Sequence, residues 1–182
     1  MRTAHRGLTR AAHGNGGRHI GRATDLTFER FWHQERERLR GALTFTLDDA
    51  DLAAEVVDEA MTRAYARWRS VARLNDPAGW VFHVAMNIAR SALRKRRLRP
   101  TFDQTDPQVL ERGPATKDIP PDLDLWAALR DLPIAQREVV VLRFHLDWAL
   151  ERIATAVDAP VGTVKSRLHR ALDTLQQKEL TR

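Results

Sequence analysis

The chain has no cysteine, which excludes disulfides, thiolate metal sites and a cysteine nucleophile. None of its 7 histidines lies three or four residues from another, the spacing that presents two ligands from one helix. No metal is expected. No apolar run approaches the roughly 18 residues needed to span a bilayer, so stable membrane insertion is not expected either. A glycine-rich phosphate loop and a nucleophile–base constellation are also missing, which leaves no catalytic residue and no cofactor to assign. Lysine is scarce, at four of the 30 basic residues. Acidic residues are absent from the first 24 positions, where Arg2, Arg6, Arg10, Arg18 and Arg22 lie around a loose Gly14-Asn15-Gly16-Gly17 run. That stretch lacks the apolar centre of a signal peptide, and residues 1–24 read as a disordered basic tail in a cytoplasmic protein.

The net charge of +6 permits nucleic-acid binding, and its distribution says more. Asp48, Asp49, Asp51, Glu55, Asp58 and Glu59 follow one another with no base between them. Arg90, Arg94, Lys95, Arg96, Arg97 and Arg99 form a run with no acid. The pair predicts separate acidic and basic docking faces.

Apolar spacing predicts an all-α chain of two small helical domains joined by a proline-rich acidic linker. In residues 25–99, one helix begins at Leu26, Phe28, Phe31 and Trp32 and continues through Leu39, Leu43 and Leu47. A second carries Leu52, Val56, Val57, Ala60, Met61, Ala64, Tyr65 and Trp68. Asn75-Asp76-Pro77 stops the chain and starts a third helix, with Asp76 as its cap and Pro77 in its first turn. Five of the 8 prolines then fall between Pro100 and Pro121, and residues 100–121 read as an extended linker between independent units. Residues 122–182 hold four helices, the last two joined by a tight Asp158-Ala159-Pro160 turn as a helix-turn-helix. On the final helix Val164, Leu168, Leu175 and either Ala171 or Leu172 face a core. Lys165, Ser166, His169 and Arg170 project away from it, with Arg167 on the flank. Such a face suits the major groove, although a solvated helical hairpin has the same pattern.

Three stretches carry a specific resemblance: Leu132-Pro133-Ile134-Ala135-Gln136-Arg137-Glu138-Val139-Val140, Glu151-Arg152-Ile153-Ala154, and Pro160-Val161-Gly162-Thr163-Val164-Lys165-Ser166-Arg167-Leu168-His169-Arg170-Ala171. In order and spacing they resemble region 4 of the extracytoplasmic-function sigma factors, group IV of the sigma-70 family. Val57-Asp58-Glu59-Ala60-Met61-Thr62-Arg63-Ala64-Tyr65 and Asp76-Pro77-Ala78-Gly79-Trp80-Val81-Phe82 are similar to region 2. The resemblance implies a promoter-specificity subunit whose partners are core RNA polymerase, promoter DNA and an anti-sigma factor. It implies that Glu55, Asp58, Glu59 and Thr62 dock on polymerase. Leu74, Asn75, Trp80 and Asn87 would then take the minus-ten element, with Trp80 either bracing that pocket or filling the core. Arg90, Arg94, Lys95, Arg96 and Arg97 would hold its phosphates. Lys165, Ser166, Arg167, His169 and Arg170 would read the minus-thirty-five element. The alternative is a stand-alone helix-turn-helix regulator of duplex DNA. Met86 and Ser91 stand where the family commonly has Arg and Asp. Asp147 and Ala149 replace the usual Gly and capping Ser, with Asp147 a candidate cap in their place, and Asp158 replaces the turn glycine.

Overall fold

The computed structural model describes residues 27–98 and 123–180, and every regular element among them is a helix. The expected tail, the Pro100–Pro121 linker and Leu26 lie outside the described residues. The first block comprises α1 (Phe28–Leu47), α2 (Ala50–Ala66), the short α3 (Trp68–Val71) and α4 (Pro77–Leu98). The second comprises α5 (Leu123–Arg130), α6 (Ile134–Phe144), α7 (Leu150–Ala156) and α8 (Val161–Leu180).

Local chemistry starts and stops these helices. The Thr27 hydroxyl accepts from the Arg30 amide to cap α1, and the Asp49 carboxylate accepts from the Leu52 amide to cap α2. Asp48 ends α1 in the left-handed region at φ 56°. At the start of α4 the Asp76 carboxylate accepts from the Gly79 amide at 2.9 Å, with Pro77 in the first turn, as expected. A Cβ at position 79 would sit 2.3 Å from Asp76 Oδ2, so any larger residue there must displace the capping carboxylate. The turn after α7 is a Schellman motif. The Asp158 amide donates to Thr155 O, the Ala159 amide donates to Ala154 O, and Asp158 holds φ 51°. Asp158 therefore takes the left-handed geometry that glycine would take. The capping role expected of Asp147 is not found. Asp147 lies two positions before the α7 N-cap, Ala149, in left-handed geometry at φ 54°, and its carboxylate faces Arg143 in solvent.

Packing joins the blocks more closely than a proline linker implies. One buried cluster runs from Phe31, Leu39, Leu43, Val56, Val57 and Met61 through Phe82 and Met86 into Leu142, Trp148 and Ile153. Aromatic contacts cross the seam: Phe45 meets Trp126 and His145 edge-on, and Phe82 meets Trp148. A second, smaller cluster of Leu132, Val140 and Ala171 holds α6 to α8 within the second block.

Candidate polymerase and nucleic-acid interfaces

On α2, Leu52, Val56, Ala60 and their neighbours point inward, leaving Glu55, Glu59 and Thr62 exposed and Asp58 half-buried on the outer face. The chain's own arginines cover part of that charge. Arg36 of α1 donates twice to Asp58, at 2.8 and 2.9 Å, and Arg63 donates to Glu59 at 2.8 Å. The Thr62 hydroxyl donates to the Asp58 carbonyl within the helix. The Arg63–Glu59 pair is solvent-exposed and contributes about 0–1 kcal/mol, whereas the Arg36–Asp58 pair is partly buried.

The α4 face is a connected hydrogen-bond chain, and its partners were not foreseen from the sequence. Arg90 donates to the Asn87 side-chain oxygen at 3.3 Å and, through its other terminal nitrogen, to both oxygens of Glu138 at 2.9 and 3.0 Å. His83 lies one turn before Asn87. Its Nδ1 is 3.0 Å from the Ala156 carbonyl and its Nε2 is 2.8 Å from the Asn87 amide nitrogen. A carbonyl only accepts, so Nδ1 is the donor to Ala156. Glu138 is 1% exposed. Burial pushes its carboxyl above the ordinary value, and the charges of Arg90 and then Arg167 draw it back down.

Leu74, Asn75, Asp76, Gly79, Trp80 and His83 line one side of a cavity of about 1020 Å³, and Glu151, Arg152, Thr155 and Asp158 line the other. Leu74 and Asn75 are exposed, whereas Trp80 is half-buried, touching both the cavity and the core. Arg152 closes the rim, donating to both Asp76 oxygens at 2.7 and 2.8 Å while lying over the Trp148 ring. Further along α4 the basic residues diverge. Arg94 and Lys95 are exposed, Arg96 donates to Asp49 at 3.0 Å, and the Arg97 side chain is outside the described residues.

The last helix follows its expected wheel. Val164 and Ala171 are fully buried, and Leu168 and Leu175 are half-buried. Ala171 takes the core position and Leu172 stays out at 40% exposure. Lys165, Ser166, His169 and Arg170 are exposed together, and Arg167 is intermediate on the flank. The structure therefore gathers the α8 residues onto one face and Trp80, Asn75 and Leu74 around one cavity. Sequence reading missed His83, Glu138 and Arg152. The latter two lie inside quoted motifs, yet their partners are 48 and 76 residues away.

Comparison with known proteins agrees with this geometry. Residues 122–175 match the family described as sigma-70, region 4. The RNA polymerase sigma factor SigV of Bacillus subtilis is 31% identical over 126 residues, covering 69% of this chain and 75% of SigV. The ECF RNA polymerase sigma factor SigL of Mycobacterium tuberculosis is 32% identical over 151 residues, covering 79% of this chain and 85% of SigL. In fold, the chain is similar to the sigma factor RpoE of Bartonella quintana, solved with the anti-sigma factor NepR. The TM-score is 0.66 at 24% identity, covering 83% of this chain and 95% of RpoE. The stand-alone regulator is not favoured by these matches. With a region 4 match, an exposed polar face on its last helix and relatives of this kind along most of its length, the chain belongs to the extracytoplasmic-function RNA polymerase sigma factors and is a promoter-specificity subunit.

Proposed function

We propose that the labour of promoter recognition is divided among three faces of this chain. Glu55, Asp58, Glu59 and Thr62 on α2 dock on core RNA polymerase, releasing Arg36 and Arg63 as they do so. Leu74, Asn75, Trp80 and Asn87 capture unpaired bases of the minus-ten element. Unstacking costs a few kcal/mol per step and needs a polar and aromatic surface to offset it. Arg90, Arg94, Lys95, Arg96 and Arg97 hold the adjoining phosphates, a contribution largely independent of sequence. Lys165, Ser166, Arg167, His169 and Arg170 enter the major groove of the minus-thirty-five element.

The observation that carries this reading is the α8 face: two bases, a hydroxyl and an imidazole exposed together above a buried Val164–Ala171 stripe, directly after a tight turn. The subunit contributes no catalytic chemistry and no cofactor; the polymerase core makes RNA. It acts in the cytoplasm, and none of the described helices is long and apolar enough to cross a membrane. The likeness to RpoE, solved with NepR, supports an anti-sigma factor as a further partner.

Asn87→Ala tests the assignment of the minus-ten face. Polymerase binding stays intact and permanganate reactivity of thymines in the start-proximal element falls. Unchanged opening, on both an intact promoter and one altered at single positions, would make Asn87 purely structural.

A further inference from the structure

Resting on the proposed minus-ten role of Asn87, we infer that His83 is a positioning residue for base choice. It fixes the direction of the Asn87 amide and so lets α4 tell amino bases from keto bases. The geometry is local to one helix. The Asn87 amide nitrogen lies 2.8 Å from His83 Nε2, one turn back, and the amide oxygen accepts from Arg90 at 3.3 Å, one turn on. A guanidinium has donors only, so the end of the amide that Arg90 meets is the oxygen. The NH2 end then faces His83, where a ring nitrogen receives it. Turned over, the amide would set its NH2 against the Arg90 donors and lose both contacts. Asn87 is exposed, and an exposed amide without such partners turns over freely in water. The tie to His83 needs α4 alone, so it does not depend on where the second block lies.

Direction matters because of what the amide has left to offer. One N–H remains free on the His83 side, and one oxygen lone pair on the Arg90 side. The complementary groups lie on the edge of an unpaired base, counted inward from the exocyclic group on C6 of a purine or C4 of a pyrimidine. Adenine and cytosine offer an amino donor and then a ring-nitrogen acceptor. Guanine and thymine offer a carbonyl acceptor and then a ring N–H donor. The two sets run in opposite order, so for one strand direction a fixed amide matches one set and a freely turning amide matches both. In the proposed function, α8 on the upstream duplex sets that strand direction. His83 also lines the cavity beside Trp80, which places the oriented amide one turn from the surface proposed to take the base.

The test uses holoenzyme reconstituted with the full chain and a promoter library randomised across the start-proximal element. Sequencing the opened DNA gives the amino-to-keto ratio at each position. Asn87→Ala locates the position that Asn87 reads; if it changes no position, the minus-ten assignment of Asn87 itself fails, and the role of His83 with it. At that position the native chain should favour one set on the order of tenfold. An even ratio there, while Asn87→Ala still impairs opening, overturns the inference. His83→Leu should lower the ratio about fivefold, the effect of one hydrogen bond, and at that position only. Two charged variants separate direction from electrostatics, because a carboxylate only accepts and an ammonium only donates. His83→Glu should keep the ratio while weakening DNA retention overall, and His83→Lys should lose the ratio while strengthening retention. A merely structural or electrostatic His83 gives the reverse pattern. The ratio would then survive in His83→Lys, or His83→Leu would depress opening equally for all four bases; either result overturns the inference.

Discussion

Lys165 and Arg170 occupy the exposed side of α8, where a cationic side chain meets either a guanine edge or a phosphate. Replacing each with Ala distinguishes the two. A bidentate guanine contact should cost about 1–3 kcal/mol and relax preference at one base pair. A phosphate contact should weaken binding evenly across sequences and flatten its salt dependence. No loss from either change would contradict the recognition-helix assignment. At the seam, His145 packs against Phe45, and a Cβ at position 41 would come within 3.2 Å of its Nε2. Burial, with Arg38 nearby, holds its pKa below the ordinary 6.5. A group depressed on folding favours the native state above its unfolded value and loses that contribution as pH falls through the lower folded value. Glu138, raised above 4.5, acts in the opposite sense on acidification. The melting advantage of the native chain over His145→Gln should therefore shrink as pH falls below 6.5; an advantage constant with pH would contradict it.

Among the elements, α4 shows most plainly what was legible beforehand. Asn75-Asp76-Pro77 announced its start, and the structure returns Asp76 as the cap. Removing that cap with Asp76→Ala should cost about 1 kcal/mol through the helix terminus. It should cost more in total, because Arg152 loses its partner, and Arg152→Ala should absorb that excess in a double-mutant cycle. Strictly additive effects would show the bridge to be energetically idle. Periodicity also revealed α1, α2 and the α8 wheel, because a buried stripe every three or four residues is a local signal. His83 escaped notice because one imidazole on a helix carries no pattern until a carbonyl from another helix meets it. Asp147 misled for a related reason: Asp is a good cap, but its left-handed geometry aims it at Arg143 instead.

For the whole molecule, the family and the all-helical fold were readable from motif order, whereas the docking of the two blocks was not. Its pairs join residues as far apart as Asp48 and Arg130, or Asp76 and Arg152, and no single stretch encodes such a match. The continuous cluster from Phe31 to Ile153 predicts that residues 27–98 and 123–180 unfold together in one calorimetric transition at low salt. Two separate transitions would mean that the seam adds little. The central claim, that this chain gives polymerase its promoter choice, is tested most directly by sequencing DNA retained by core RNA polymerase with and without it. The expected result is a recurrent pair of short elements at fixed spacing, seen only with the chain present. They should lose the upstream member when Lys165 and Arg170 are both replaced and the downstream member when Asn87 is. Retained DNA indistinguishable from that of core polymerase alone would contradict the account.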